Sequence, residues 1–200
     1  MREFILLALK AKTSDNFSLD NLVKAGRMDL VCRFVSNTLF IANDLRRDTI
    51  VHVCMNGAND PPKIISFYGE TLRGIEPDEK SIAIAIKLVL KEKLKLNEEK
   101  LFPNGIKIQK KAFESLVKEK FNNQLIYLHP KGEDIRNFKF SDNVVFVLGD
   151  HIGLPKKTEN LLDRLNAKKI NLGPKMLFAS HCSIIVHNEL DRKWLDLDKT

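Results

Sequence analysis

Short apolar runs separated by helical patterns constrain this chain more than any other feature. EFILLALKA (3–11), TIVHVCM (49–55), KIISFYG (63–69), QLIYLHP (124–130) and NVVFVLGD (143–150) each have the length and content of a strand, and KKINL (168–172) adds a shorter one. The first is nearly continuous in apolar residues, as expected of a strand covered on both faces. Between them the spacing predicts helices. One spans 26–44, with Leu30, Phe34, Thr38 and Ile41 on one side. A second spans 76–96, with Pro77 at its first position, acids in its first turn and lysines in its last. A third closes the turn, extended piece and helix of 102–121, and a fourth spans 155–167 with Pro155 near its start. The segment 171–192 supplies the last. Strands alternating with helices predict an α/β fold with a mostly parallel sheet flanked by helices. With 200 residues and no repeat or linker, a single domain is expected over 1–200.

Charge and cysteine content narrow the setting. Lysine and arginine exceed the acids by seven, a basic excess that suits a polyanion such as RNA without requiring one. Cys32, Cys54 and Cys182 are far apart and form no C-x-x-C pair, which argues for a reducing compartment and hence the cytoplasm. The opening MREFILLALKAKT is too short and too quickly followed by lysines to read as a signal peptide. No run approaches the roughly 18 apolar residues of a membrane span.

Several common chemistries are excluded by pattern. None of the nine glycines builds G-x-G-x-x-G or G-x-x-x-x-G-K-[ST], and neither H-E-x-x-H nor G-x-S-x-G occurs. His181 and Cys182 fall in a stretch, 176–186, that has no formally charged residue, and His187 follows it directly. Adjacent helical positions point about 100° apart, so His181 and Cys182 do not share a metal ion easily, and no metal site is expected. A core or interface helix is the simpler reading of that stretch.

Two features carry more chemistry. LIYLHPKG, VVFVLGDHIG and INLGPK all end in glycine-containing loops, and strand-end loops on one edge of an α/β sheet are where ligands bind. The second is GRMDLVCR, which places Arg27, Asp29 and Arg33 within eight residues. Arg46, Arg47 and Arg73 add further guanidinium groups, whose planar forks suit phosphates. An aspartate at a helix start is also an ordinary dipole or capping partner.

FVLGDHIGLPKKTE followed by INLGPKMLFASHCSIIVHNELDR resembles the paired C-terminal motifs of the SPOUT class of RNA methyltransferases. GRMDLVCR, GETLRGIEPDE and LIYLHPKGED narrow the resemblance, over essentially the whole chain, to the archaeal tRNA pseudouridine N1-methyltransferase family. The resemblance implies a SPOUT-type fold with a C-terminal deep trefoil knot over about 124–192, and a homodimer through the knot helices. It implies S-adenosyl-L-methionine bent in the knot, against Leu128, Gly149, Leu172, Gly173, Pro174, Lys175, Met176, Leu177 and Cys182. Its substrate would be tRNA, methylated at N1 of pseudouridine on the first T-loop nucleotide (position 54), with S-adenosylhomocysteine as product. Asp29 is then the candidate base or base-orienting group, and Arg27, Arg33, Arg46 and Arg73 the RNA-binding cations. The related family that methylates a small-subunit rRNA pseudouridine tends to have a histidine after the acidic residue, where this chain has Cys32, which favours tRNA. A knotted RNA-binding protein without catalysis is disfavoured by Gly149 and Gly173, both present in the pocket motifs.

Overall fold

The computed structural model describes residues 1–197, with side chains through Lys193. In chain order the strands and helices are β1 (Arg2–Ala8), α1 (Met28–Leu39), β2 (Phe40–Ile41), β3 (Asp44–Leu45), β4 (Thr49–Met55), β5 (Lys63–Tyr68), α2 (Glu79–Val89), β6 (Glu99–Leu101), β7 (Ile106–Gln109), α3 (Phe113–Glu119), β8 (Gln124–Asp134), β9 (Val144–Gly149), α4 (Lys156–Arg164), β10 (Lys168–Asn171) and α5 (Ala179–Leu197). A short 3₁₀ turn, Leu22–Ala25, leads into α1.

One sheet runs β10-β8-β9-β1-β4-β5-β7-β6. Its first five strands are mutually parallel, while β5, β7 and β6 extend it antiparallel. The mostly parallel α/β sheet predicted from the apolar runs is therefore present, with an antiparallel wing. β1 lies centrally and all seven of its residues are buried, which is why EFILLALKA carries no alternation.

Side chains from alternate strand positions serve two cores. Phe4, Leu6, Val51, Val53 and Phe146 face α1, α2 and α5. Ile5, Leu7, Ile64, Val145 and Val147 pack with Phe113 and Val117 of α3 and Leu162 of α4. Burying such a side chain fully stabilises the fold by about 1.5–3 kcal/mol before entropic costs. α1 packs on both α2 and α5, so the end of the chain is drawn back over its beginning.

Four local expectations need correction. The helix predicted over 26–44 stops at Leu39, and Phe40–Leu45 form a small hairpin. Its turn uses Asn43 at φ 66°, a conformation asparagine tolerates better than most residues. Ile41 is consequently exposed rather than on the buried helix side. The second helix begins after Pro77: Asp78 caps it by accepting the backbone N–H groups of Lys80 and Ser81, and it ends at Val89 rather than 96. β6 lies outside every predicted strand, because EKL is an exposed edge without apolar alternation. β8 continues past 130 to Asp134, with a register shift opposite Lys169 and Ile170. There Gly132 passes the Ile170 backbone so closely that a Cβ would lie 2.5 Å from its carbonyl carbon.

Candidate active site

Parallel pairing of β10, β8, β9, β1 and β4 brings their C-terminal ends to one edge of the sheet. Two side chains tie the loops there together. Asn171 donates from Nδ2 to the Pro130 carbonyl (2.7 Å), and its Oδ1 accepts the Gly173 N–H (2.6 Å). Asp150 accepts the Leu9 N–H on Oδ2 (2.9 Å) and the Ile152 N–H on Oδ1 (2.8 Å). Gly149 lets this turn close, since a Cβ there would lie 2.3 Å from the Gly153 carbonyl carbon. Two of the three predicted strand-end loops, those after β9 and β10, lie at this edge, whereas the glycine of LIYLHPKG falls inside β8 rather than in a loop. Neither Asp150 nor Asn171 is singled out by the sequence, although each sits in one of the quoted motifs.

Beside these loops lies a cleft of about 470 Å³. Its floor includes Leu6 and Ala8, one wall is Gly26, Arg27, Leu30 and Val31, and the other walls are Asp150–Gly153 and Met176–His181. The Gly26–Arg27 pair is left-handed at both residues (φ 71° and 64°). For a non-glycine residue that conformation costs about 1–2 kcal/mol, and such strain is kept where surrounding structure or function requires it. Here it turns the start of α1 so that Arg27 faces the cleft.

Asp29 holds that arginine in place. Its Oδ1 accepts Arg27 Nε (3.0 Å), and its Oδ2 accepts Arg27 Nη2 (3.0 Å) and Arg33 Nη2 (2.9 Å). Arg33 also reaches Glu79 Oε1 at 2.7 Å. Burial alone would raise the Asp29 pKa, but the two arginines outweigh it and hold the carboxyl below its ordinary range. The Asp29 side chain is only 5% exposed, whereas that of Arg27 is 34% exposed. The Arg27–Asp29–Arg33 grouping anticipated from GRMDLVCR therefore forms.

The other predicted positions divide. Met176 and Leu177 line the cleft, and Gly173, Pro174 and Lys175 are exposed in the loop leading to them. Leu128 and Leu172 pack half-buried against the main core. Cys182 is buried with its Sγ 3.8 Å from the Leu177 carbonyl, and burial pushes its thiol up to about 11. Arg73 is exposed on the loop before α2 and is not among the residues that line the cleft. His181 lines the cleft, whereas His187 is buried between Arg2 (3.0 Å) and the Thr38 carbonyl (3.0 Å), and burial pushes its pKa down to about 3.

Arg46 is committed elsewhere in this structure. It grips Asp191 of α5 through two hydrogen bonds of 3.1 and 2.9 Å, and Arg2 reaches the same carboxylate. Asp191→Asn is expected to lower stability by about 1 kcal/mol, a half-exposed charge-assisted contact being worth less than a buried one. The Asp191 pKa is lowered: burial raises it, but Arg46 and Arg2 prevail. The carboxylate's contribution is thus present above the ordinary aspartate pKa and lost as pH falls through the folded value. Urea melts of wild type and D191N should differ at neutral pH, and the difference should begin to shrink only below about pH 4, disappearing as pH passes the lowered Asp191 pKa.

Comparisons with known proteins agree with this architecture. A family model described as "Putative SAM-dependent RNA methyltransferase" matches residues 1–195. The tRNA (pseudouridine(54)-N(1))-methyltransferase of Methanocaldococcus jannaschii is 42% identical over 201 residues, covering 96% of this chain and 98% of that one. The protein of the same name from Methanococcus aeolicus is 44% identical, with the same coverage. Among solved structures, Archaeoglobus fulgidus Nep1 bound to S-adenosylhomocysteine superimposes with a TM-score of 0.64 over 95% of this chain and 97% of that one. At 14% identity that is a likeness of fold. The chain belongs to the family of S-adenosylmethionine-dependent RNA methyltransferases that this family model describes.

Proposed function

We propose that this chain is a tRNA methyltransferase that transfers a methyl group to N1 of pseudouridine at position 54, the first T-loop nucleotide. The observation that carries this reading is the near-full-length identity of 42–44% to relatives bearing that activity in their name. The cleft supplies parts that such a reaction needs.

The residues present fit S-adenosylmethionine. Met176, Leu177, Phe178 and Ile152 expose apolar surface around the cleft, suited to an adenine and a thioether stem. Gly153 and Gly173 have positive φ and no heavy atom within 4 Å of where a Cβ would stand, so their backbones face open space that a ligand can approach. Leu128, Gly149, Leu172–Leu177 and Cys182 are the residues that would hold it. When bound, the cofactor supplies an electrophilic methyl group on a sulfonium centre.

Pseudouridine is C-linked, so its N1 bears a proton that uridine's N1 does not. The chain's part is to seat the base, turned out of the T-loop, with N1 in line for displacement. Arg27 presents the N–H donors left over from Asp29 to a base carbonyl or flanking phosphate, with Arg33 behind it. Asp29, anionic and ion-paired through both oxygens, serves as the orienting group. Arg73 remains available for backbone phosphates, and Arg46 once released from Asp191.

The same reading places the chain in the cytoplasm as a homodimeric single domain. Its free cysteines are all buried, and no helix among the described residues is long and apolar enough to cross a membrane. Ile184 of α5 and Ile41 are exposed and border one groove of about 420 Å³, a face that α5 of a second copy would cover. A threaded trefoil knot over about 124–192 belongs to the same reading, in which α5 returns over α1.

The decisive assay offers purified protein and methyl donor a T-loop stem-loop with pseudouridine or uridine at its first position, beside an rRNA hairpin carrying pseudouridine. Methylation of the pseudouridine T-loop alone is expected. Transfer to the uridine version overturns the N1 assignment, and preference for the rRNA hairpin overturns the tRNA one. Absence of S-adenosylmethionine binding by calorimetry overturns catalysis altogether.

A further inference from the structure

Pseudouridine N1 must lose its proton as it is methylated, and most polar groups at the cleft are committed otherwise. Both Asp29 oxygens are ion-paired, and both Asp150 oxygens accept backbone N–H groups. Arg27 is a cation, and the Cys182 thiol is buried against the Leu177 carbonyl and held neutral. Two imidazoles remain on the cleft wall, His151 and His181. His151 faces Asp150, with Nδ1 3.7 Å from Oδ1.

His181 is placed differently. It stands in the first turn of α5, its backbone N–H bound to the Phe178 carbonyl at 2.9 Å. Its ring lies edge-on to the Phe178 ring with centroids 5.7 Å apart, and both side chains are exposed at the cleft. Its ring nitrogens have no hydrogen-bond partner among the described residues. It follows Leu177, the last residue of the loop assigned to the cofactor, by one helical turn. Arg27, just before α1, lines the same cleft.

We propose that His181 is the base that takes the N1 proton of the target pseudouridine. This rests on the methyltransferase reading above. The N1–H bond breaks as its proton passes to an imidazole nitrogen, the N1 electron pair forms the new N–CH₃ bond, and the S–CH₃ electron pair stays on sulfur. The positive charge that leaves the sulfonium reappears on the imidazolium, which then releases its proton to water. The other charged or titratable groups lining this cleft are Arg27 just before α1, and Asp150 and His151 after β9.

The test uses the full chain as His181→Gln and His181→Ala, with His151→Gln for comparison. His181→Gln should lower kcat about 100-fold, the usual range for loss of one general base. KM for the RNA, S-adenosylhomocysteine binding by calorimetry and the melting temperature should stay at wild-type values. Added imidazole should restore part of the His181→Ala rate, and the acid limb of the wild-type pH–rate profile should be absent in His181→Gln. In the wild type without methyl donor, the His181 ring resonances should shift on binding the pseudouridine stem-loop. A wild-type rate in His181→Gln overturns the assignment, as does a loss accounted for by weaker binding. An equal kcat loss in His151→Gln overturns it too. A wild-type protein inactive on pseudouridine RNA overturns the methyltransferase reading itself, and His181's role with it.

Discussion

Gly26→Ala is expected to cost at least about 4 kcal/mol, a large part of the 5–15 kcal/mol that keeps a domain folded. At φ +71° an added Cβ would lie 1.7 Å from the Lys10 carbonyl oxygen and 2.4 Å from its carbon. Those are backbone atoms, so no side chain can rotate away. Nor can the Lys10 carbonyl retreat, because a Cβ on Gly57 would lie 2.2 Å from the same oxygen. The segment is further fixed by Lys12 N–H on the Ala25 carbonyl (3.2 Å) and Gly57 N–H on the Ala11 carbonyl (3.0 Å). Gly74 provides the comparison: it has nearly the same φ, +69°, but nothing within 4 Å of its Cβ position. Gly74→Ala therefore isolates the conformational cost of about 1–2 kcal/mol. For a chain of this size the two differ by about 10 °C in melting temperature. Thermal unfolding followed by circular dichroism checks this, and equal melting of the two variants would show that Lys10 does yield. Gly26 also aims Arg27 at the cleft, so a folded remnant should methylate poorly.

The parts of the fold legible in the sequence are those where burial is symmetric. β1, β4, β8 and β9 lie inside the sheet, and each carries a buried apolar run, such as Phe4–Ala8, Val53–Met55, Leu125–Tyr127 and Val144–Leu148, that stands out from its surroundings. β6 is an edge with all three residues exposed, and nothing in Glu99–Leu101 marks it as a strand. The Phe40–Leu45 hairpin is hidden because Phe34 and Thr38 keep the helical period up to Leu39, and the break depends on Asn43. The site divides along similar lines. Asp29 and Arg33 are four apart on a helix, so their contact follows from spacing. The Arg27–Asp29 contact does not, because it needs two successive left-handed residues before the helix. Arg46 shows the limit: its partner Asp191 is 145 positions away, and only the folded chain brings α5 back onto α1 and beside Arg46.

Asp29→Asn is expected to lower kcat about 100-fold, and Arg27→Lys to do nearly the same, because the two side chains act as one unit. Asparagine keeps one acceptor oxygen but loses the charge that holds both arginines, and lysine keeps the charge but loses the two-point grip through Nε and Nη2. Either change leaves the remaining partner free to rotate, so the donors facing the substrate lose their fixed direction. Arg33 retains Glu79 in both variants, so the helix start should survive. A stability loss of about 1–3 kcal/mol for the altered buried carboxylate is the ordinary range and is read separately from melting curves. The informative measurement is the double variant. If Asp29 orients Arg27, combining the changes should cost little more than either alone, and the acid limb of the pH–rate profile should persist in all three. If Asp29 were itself the proton acceptor, Asp29→Asn should abolish that limb, Arg27→Lys should not, and the losses should multiply. Its ion pairs favour the first outcome, since a carboxylate stabilised by two guanidinium groups is a weak base for an N–H as weakly acidic as pseudouridine's.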